Sequence, residues 1–212
     1  MIYLTAVLAG IVTALILDFG ILEIAMLLAL GLFARRNLAR RSRFPIVWLA
    51  FVRRIAGRPA WAYGSILLLA ILPRAAFLAA TGPPVPFVTD EFSYRLQADT
   101  LESGRLTNPT HPHWEFFETI HVIPKPTYQS QYLPGAALFL AAGKLAFGHH
   151  LYGVWLSAVL LFVALLWTLR QWFSPTWAWF ATALATVRFG VGSYWVDSYW
   201  GGTVPALGGT LL

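Results

Sequence analysis

The chain has 212 residues, of which 58% are hydrophobic and 11% are charged, and its formal net charge is +6. A soluble domain carries about 25% charged residues, so this composition indicates an integral membrane protein. The sequence contains no cysteine, which excludes disulfide bonds, thiol catalysis and cysteine-ligated metals.

Residues 2–34 are apolar apart from Asp18 and Glu23. A single helix over this range would be about 50 Å long, whereas the hydrocarbon core of a bilayer is about 30 Å thick. The range therefore forms either one overhanging helix or two short segments broken near residues 18–20, and the sequence leaves both open. It lacks the basic start and the small-residue cleavage site of a signal peptide, so we expect it to stay in the membrane.

A block of arginines without acidic residues comes next. Such a block can contact nucleic acid, but between apolar spans it is typical of a cytoplasmic loop that follows the positive-inside rule. We therefore expect no nucleic-acid partner, and we assign residues 1–58 to N-terminal membrane segments and an arginine-rich cytoplasmic loop. The arginines are Arg35, Arg36, Arg40, Arg41, Arg43, Arg53, Arg54 and Arg58.

The first well-delimited span covers residues 61–81, and its near end touches Arg58. Because Arg58 is expected inside, this span runs outward and residues 82–133 form an extracytoplasmic loop. The charge of the loop agrees, since its acidic residues outnumber its basic ones. They are Asp90, Glu91, Asp99, Glu102, Glu115 and Glu118 against Arg95, Arg105 and Lys125.

Residues 134–148 form an apolar segment that is short for a full crossing, which favours an interfacial or re-entrant helix. The span at 151–169 then runs inward and ends at Arg170, as the positive-inside rule prefers. Residues 177–191 return outward and lead to a second extracytoplasmic turn at 193–202.

The alternative arrangement lets residues 134–148 cross the membrane, which would put Arg170 outside and Asp197 inside. We favour the non-crossing arrangement, because it agrees with the charge of Arg170. Its consequence is functional, since it places Asp197 on the same side as Asp90 and Glu91.

Two adjacent carboxylates, Asp90 and Glu91, open the outer loop. We expect Thr89 to cap a helix that begins at Asp90, and Gly104 to end it. At a membrane surface such a pair can accept a proton or hold a cation. The alternative is that both carboxylates only complement the positive end of the helix dipole, and residue chemistry alone does not separate the two.

A histidine-containing stretch later in the loop adds candidate metal ligands. His111 and His113, together with Asp90 and Glu91, could hold zinc or another divalent cation. The stretch is rich in proline, however, so no ligand geometry is fixed by the sequence. A divalent cation is therefore an optional cofactor in this interpretation.

Three further residues carry polar chemistry close to the membrane. Lys125 can bind a phosphate as a point charge. Arg74, near the outer end of its span, either snorkels to the interface or pairs with a carboxylate. Asp197 lies beside a span and is a functional candidate by default, the alternative being a solvated loop aspartate.

Several short elements occur in a defined order along residues 61–212. The acidic pair comes first, followed by Ser-Gly-Arg-Leu at 103–106, Tyr-Gln-Ser-Gln-Tyr-Leu-Pro-Gly at 128–135, Phe-Gly at 147–148 and Ser-Tyr-Trp-Gly-Gly at 198–202. In this order they resemble the N-terminal part of GT-C-fold membrane glycosyltransferases. The nearest branch is bacterial and is similar to protein O-mannosyltransferases and to the aminoarabinose transferases that modify lipid A.

The resemblance implies a fold and a reaction. The fold would be an all-α integral membrane bundle with several spans, in which residues 59–212 form the N-terminal part of the transmembrane domain and the outer loop carries juxtamembrane helices. The enzyme would sit in the bacterial inner (plasma) membrane and transfer a sugar from a polyprenyl-phosphate donor to a hydroxyl, lipid or glycan acceptor on the extracytoplasmic face.

The same resemblance implies roles for individual residues. Asp90 would be the general base toward the acceptor, and Glu91 would orient or tune it. Basic side chains would stabilise the leaving lipid phosphate. The implied substrate-binding residues are Lys125, Arg74, Arg95, Tyr128, Gln131, Tyr132 and Asp197.

The chain departs from the family pattern in two places. Gln131 precedes Tyr132 where related sequences often carry a basic residue, which removes an expected phosphate contact. Family members also have more spans and often a soluble C-terminal domain, whereas the last apolar run here, from residue 203, reaches only half way through a bilayer. We therefore expect an incomplete enzyme that needs the remainder of its chain or a partner subunit.

Two other functional classes remain open. The first is a small non-catalytic membrane subunit that binds lipid or a partner protein through its outer loop. The second is a segment of a transporter that uses Asp18, Glu23 and Asp197 as intramembrane ionisable groups, although no inverted repeat is evident.

Overall fold

The computed structural model describes residues 31–32, 35–36 and 44–212 of the chain. The chain divides into two units, residues 1–51 and 52–212. The second unit carries the candidate functional residues, and the following description concerns it. Asp18, Glu23 and the number of spans before residue 31 lie outside the described residues.

The described part is mostly helical. Three of its helices begin with proline, which is favoured at the first helical position because no intrahelical N–H bond is lost there. A two-stranded antiparallel hairpin lies within residues 82–133 and pairs Val122 with Ser130. The elements are α1 (Phe44–Ala56), α2 (Pro59–Thr81), α3 (Thr89–Glu102), a 3-10 helix (Trp114–Phe117), β1 (Val122–Ile123), β2 (Gln129–Ser130), α4 (Pro134–Phe147), α5 (Leu151–Trp172), α6 (Pro175–Gly190) and α7 (Thr203–Leu211).

Two helices are long and apolar enough to cross a membrane, by length and composition. These are α2, with 23 residues, and α5, with 22, which at 1.5 Å per residue are each about 33–35 Å long. With 14 residues α4 is a short apolar helix of about 21 Å, as its sequence predicts. The predicted crossing at 177–191 corresponds to α6, whose 16 residues span about 24 Å, so that crossing stays a prediction.

The predicted Thr89 cap is wrong. Val88 occupies the cap position in an extended conformation and makes no side-chain cap hydrogen bond, so Thr89 is already helical. The Val88 carbonyl accepts the N–H of Glu91 at 3.1 Å, which starts the helix one residue earlier than expected. At the other end α3 stops at Glu102, and Gly104 follows with a φ of 74°, the left-handed conformation that glycine adopts readily.

The helices α2, α5 and α6 pack together, with α5 running opposite to the other two. Arg170 near the end of α5 lies 6.0 Å from the ring of Tyr63 near the start of α2. Arg74 near the end of α2 lies 5.6 Å from the ring of Trp155 near the start of α5. Their shared core buries small and aliphatic side chains, among them Ala62, Ile66, Ala158, Phe162, Leu166 and Ala178.

Backbone contact joins α4 to the start of α5. A Cβ atom on Gly143 would lie 2.0 Å from the Gly153 nitrogen, and one on Gly153 would lie 1.9 Å from the Phe139 carbonyl oxygen. Only glycine permits this approach, so the glycine pair lets the short helix α4 lie directly against α5. A second core beside this contact also includes side chains of α3 and of the loop after α6, with Ala98, Ala137, Leu140, Leu151, Val154 and Tyr199 buried.

The helices α3 and α4 therefore lie at one end of the bundle formed by α2, α5 and α6. The helix α2 ends there, α5 begins there and α6 ends there, and α3, α4 and residues 191–202 pack around these ends. The opposite end carries Arg170, whose guanidinium donates to the Ala56 carbonyl at 3.3 Å. The candidate functional residues lie at the first of these two ends.

Candidate active site

Asp90 lies in the first turn of α3 and contacts a histidine from the far part of the outer loop. Its Oδ1 atom is 2.9 Å from Nε2 of His121, and the two side chains are 32% and 26% exposed. The pair is thus held by protein and still open to a substrate. A carboxylate that is oriented by a histidine and remains accessible can act as a general base.

The hairpin holds His121 in place from several directions. Its backbone has a φ of 68°, which is uncommon for a residue with a side chain. Its carbonyl accepts the Ser93 hydroxyl at 2.5 Å and the Gln131 N–H at 3.1 Å. The Ser93 hydroxyl also contacts the hydroxyl of Ser130 at 2.7 Å. Since Ser93 belongs to α3, the same helix supplies Asp90 and anchors its partner.

The other ring nitrogen of His121 is engaged as well. Its Nδ1 atom is hydrogen-bonded with the side-chain Nε2 of Gln131. The imidazole therefore lies between Asp90 on one side and Gln131 on the other. Gln131, which the sequence predicts to bind substrate, is thus linked to Asp90 indirectly, because both side chains contact the ring of His121.

Three aromatic rings are stacked beside Asp90. The ring centroid of His121 is 5.4 Å from that of Tyr132, which is 4.4 Å from that of Tyr94 in a nearly parallel arrangement. Burial raises the pKa of both tyrosines, and Asp90 raises it further, so both hydroxyls are protonated at neutral pH.

A cleft of about 370 Å³ opens along these tyrosines. Two of its lining residues are glycines, and one of them, Gly201, packs against Ala136 and the ring of Tyr94. The cleft is lined by Tyr94, Tyr132, Leu133, Gly135, Ala136, Gly201, Val204 and Pro205. An aromatic wall beside a carboxylate is the arrangement that binds a flat or ring-shaped polar substrate.

Glu91 is placed quite differently from its neighbour. Its side chain is 1% exposed and accepts three hydrogen bonds. The donors are the Tyr199 N–H at 2.8 Å, the Tyr194 hydroxyl at 3.0 Å and the Phe87 N–H at 3.3 Å. Burial, and next the hydrogen bond to Glu91, raise the pKa of Tyr194 to about 12. Glu91 thus ties the start of α3 to residues 191–202.

Two predicted substrate ligands pair with each other instead. Arg74 is 1% exposed, and its Nη2 atom lies 2.6 Å from Oδ1 of Asp197. Its Nη1 atom donates to the Val191 carbonyl at 3.2 Å, and its guanidinium lies between the rings of Phe77 and Trp155. Of the two alternatives that the sequence left for Arg74, the structure therefore shows pairing with a carboxylate.

The remaining residues that the sequence predicts to bind substrate contact aromatic rings or make backbone hydrogen bonds. The guanidinium of Arg95 is 5.0 Å from the ring centroid of Tyr199. The ammonium of Lys125 is 4.0 Å from that of Trp114. Tyr128 exchanges two backbone hydrogen bonds with Asn108, at 2.8 and 3.0 Å. None of these contacts brings Arg95, Lys125 or Tyr128 to Asp90.

The metal ligands proposed from the sequence have other partners. The rings of His111 and His113 are 6.0 Å apart, and His111 accepts the backbone N–H of His113 at 3.1 Å. Glu91 is committed to its three donors, and Asp90 to His121. The structure brings these four residues to different contacts and not to a common centre.

A different cluster has the composition of a metal site. One ligand atom each from Asp99, Glu102 and His150 lies within 4.8 Å of the others, where α3 ends and α5 begins. Lys144, however, places its ammonium 2.8 Å from Oδ1 of Asp99 and 2.7 Å from Oε2 of Glu102. These residues could hold a metal ion, but a divalent cation would compete with this ammonium for the two carboxylates.

His121, Ser93 and Tyr94 are the residues at Asp90 that sequence reasoning missed. His121 was visible only as one histidine in an irregular loop, and the strands that position it have two residues each. No hydrophobic alternation can be recognised over such a length. The one available signal was the run of serine and glutamine around residue 130, which here supplies the partners of His121.

No known family model, curated protein or solved structure matches the chain. The class of protein is therefore described from its fold and its candidate site alone. The described chain is mostly helical, has two helices that are able to span a membrane, and carries an aspartate–histidine pair beside an aromatic cleft.

Proposed function

We infer that the protein is an integral membrane glycosyltransferase that takes a sugar from a polyprenyl-phosphate donor and uses Asp90 as its general base. The observation that carries the proposal is the Asp90–His121 contact beside the aromatic cleft. It supports the role that the sequence resemblance implies for Asp90. The location of this site at the end of two membrane-length helices fits a lipid-linked substrate.

The proposed reaction is a direct displacement at the anomeric carbon. Asp90 accepts the proton of the acceptor hydroxyl while the acceptor oxygen bonds to that carbon. The bond from the carbon to the phosphate oxygen breaks, and the lipid phosphate leaves with the bonding electron pair. The proton on Asp90 later returns to solvent.

The cleft beside Asp90 suits the sugar. Tyr94 and Tyr132 line the cleft, and their protonated hydroxyls can donate hydrogen bonds to sugar oxygens. Gly135 and Gly201 line the cleft as well. The proposal therefore places the transferred sugar against the tyrosine pair.

The leaving phosphate needs a cation. Arg74 is neutralised by Asp197, which leaves Arg95 and Lys125 as the predicted cations whose described contacts are with aromatic rings. A cation that is held by a ring and not by a carboxylate keeps its charge available for an anion. We assign the phosphate contact to these two residues.

The proposed membrane orientation rests on the different charge of the two ends of the bundle formed by α2, α5 and α6. The end with Arg170 also carries the arginines around residue 58, and we place it in the cytoplasm under the positive-inside rule. The end with α3 and α4 then faces the extracytoplasmic side of a bacterial inner (plasma) membrane. The contact between Glu91 and Tyr199 supports the arrangement in which α4 does not cross.

The test is transfer by an Asp90→Asn variant of the protein expressed from its native gene. Membranes receive a radiolabelled polyprenyl-phosphate sugar, and label in the acceptor is counted. We expect at least about a hundredfold loss, because a general base contributes about 10² to 10⁴ in rate. Glu118→Gln, at an exposed carboxylate of the same loop, serves as the control and should transfer as well as the parent. An Asp90→Asn protein as active as the parent refutes the proposal.

One observation favours the non-catalytic alternative, a subunit that binds lipid or a partner. The outer loop exposes large apolar side chains, including Phe87 at 90%, Phe116 at 84% and Ile120 at 67%. Exposed apolar patches mark protein or membrane contacts. A parent protein that transfers no sugar from any polyprenyl-phosphate donor, yet binds such lipids equally well with Asn at position 90, would select this alternative.

A further inference from the structure

We propose that His121 is the positioning residue of the site, donating its Nε2–H to Oδ1 of Asp90 and thereby fixing the orientation of the carboxylate. The inference rests on the proposed function, in which Asp90 is the base. It concerns a residue that neither the family pattern nor the sequence motifs single out.

The first argument is the backbone of His121. A non-glycine residue in the left-handed region is strained and persists only where the surroundings hold it. Here Ser93 and the Gln131 N–H both donate to the carbonyl of His121. The conformation that these bonds maintain aims the ring of His121 at Asp90.

The second argument is the protonation of the ring. A neutral imidazole has one N–H donor and one acceptor nitrogen. The side-chain amide nitrogen of Gln131 faces Nδ1 of His121. An amide NH₂ group can only donate, so this contact favours an acceptor at Nδ1 and the ring N–H at Nε2. That N–H points at Oδ1 of Asp90, 2.9 Å away. When the ring N–H is at Nε2, it donates a hydrogen bond to the Asp90 carboxylate and holds that carboxylate in one orientation.

The third argument is the fit with catalysis. His121 occupies Oδ1 of Asp90, so the acceptor hydroxyl is directed to Oδ2. In this arrangement Asp90 takes the hydroxyl proton, and His121 holds Oδ1 of Asp90 through its Nε2–H. Three tyrosine hydroxyls also feel the charge of Asp90, those of Tyr132, Tyr94 and Tyr194. Burial is the main cause that raises their pKa values, and Asp90 raises them further, so all three stay protonated. The role of His121 is therefore geometric.

The decisive variants are His121→Ala and His121→Gln in the protein expressed from its native gene. Alanine removes the hydrogen-bond donor to Asp90. We expect kcat to fall about tenfold to hundredfold, as is typical when a residue that orients a functional side chain is lost. KM for the lipid donor should stay close to that of the parent. Glutamine can place an amide N–H where Nε2 lies, so it should recover most of kcat. Thr119→Ala, an exposed neighbour, is the matched control.

A double-mutant cycle tests whether His121 acts through Asp90. In the Asp90→Asn background, His121→Ala should cause little further loss, because the base that it positions is already gone. The inference is overturned if the two losses multiply, if His121→Ala keeps the parent kcat, or if glutamine is no better than alanine.

A spectroscopic test is independent of turnover. The chain has five histidines, so ¹⁵N-histidine spectra of the protein in nanodiscs can be assigned by single substitutions. We expect the His121 signal to show the Nε2–H tautomer, and Gln131→Ala to release the Nδ1–H form. An Nδ1–H tautomer in the parent refutes the positioning role. If the parent transfers no sugar but shows the expected tautomer, the enzymatic proposal fails while the geometry of the pair stands.

Discussion

Two adjacent carboxylates in one helical turn have separate tasks. Asp90 is about one-third exposed and meets His121, whereas Glu91 is buried and accepts hydrogen bonds from Tyr199, Tyr194 and Phe87. Burying a carboxylate is costly unless its oxygens are hydrogen-bonded. Glu91 satisfies that condition through backbone and phenol donors, which makes it a structural link between α3 and residues 191–202.

We predict that Glu91→Gln destabilises the fold, whereas Asp90→Asn does not. Glutamine places an NH₂ group where one carboxylate oxygen accepts hydrogen bonds, so at least one donor, such as the Tyr199 N–H, loses its partner. A hydrogen bond to a charged group contributes about 1.5–3 kcal/mol, and we expect a loss of stability of that order. Asparagine at position 90 keeps an oxygen that can accept from His121.

The measurement is thermal unfolding of the purified variants in detergent. Glu118→Gln serves as the control for a change of charge in the same loop, since that side chain is exposed. An unfolding midpoint for Glu91→Gln equal to that of the control would show that the three hydrogen bonds contribute nothing to stability.

The buried Arg74 illustrates how an ionisable residue is accommodated within a membrane-length helix. Its partner Asp197 comes from a turn 123 residues away in sequence. Breaking a buried pair by removing one member typically costs about 3–5 kcal/mol, because the other charge is left uncompensated. The pair therefore locks the turn after α6 onto α2, alongside the link that Glu91 makes.

Among the helices, the contact between α4 and α5 depends on two glycines. Gly143 and Gly153 leave no space for a Cβ atom between the two backbones. The contact fixes α4 against the start of α5. Because α4 is held in this way, the segment that leads into its first residue is positioned as well. Gln131 and Tyr132, which contact His121, lie in that preceding segment.

We predict that Gly153→Ala separates α4 from α5. The added Cβ would overlap the Phe139 carbonyl, and overpacking of this kind typically costs about 1–3 kcal/mol or more. Gly64→Ala is the matched control, because a Cβ at Gly64 in α2 meets no atom within 4 Å. Alanine is also the better helix former by about 1 kcal/mol, so this control should be neutral or stabilising.

Thermal unfolding in detergent distinguishes the two glycine variants. The expected result is a lower midpoint for Gly153→Ala and an unchanged or higher one for Gly64→Ala. Equal midpoints for the two variants would mean that α4 can move away from α5 at no cost, in contrast to the close approach seen here.

For the whole unit, the arrangement of helices separates two chemically different ends. Arg170 lies beside the start of α2, while α3, α4 and the acidic segment between them gather around the end of α2. Both ends of α4 belong to this second end, since Ala136 lies against Gly201 and Lys144 contacts Asp99. Such an arrangement suits a site that faces one side of a membrane.

We predict the corresponding labelling pattern for single cysteines. The sequence contains no cysteine of its own, so Glu118→Cys, Phe147→Cys and Gln171→Cys can each be tested with a membrane-impermeant maleimide in intact cells. All three positions are exposed. Positions 118 and 147, the first before α4 and the second at its last residue, should react from outside, and position 171 should react only after permeabilisation. Reaction of 171 from outside, or protection of 147, would contradict the proposed orientation.

The sequence alone was enough to predict a mostly helical fold and several of its local elements. Apolar runs of membrane length gave α2 and α5, and the short run at 134–148 gave α4. The position of Asp90 at the start of a helix was also readable, because these properties depend on hydropathy and on residues near one another in sequence.

The tertiary structure alone decided which residues meet. It paired Asp90 with His121, joined Glu91 to Tyr199 across 108 residues, and removed Arg74 from the predicted phosphate contacts by giving it Asp197. These contacts follow from the path of an irregular loop and from the close approach of α4 and α5. Such features arise from packing between distant segments, and no local pattern of residues encodes them.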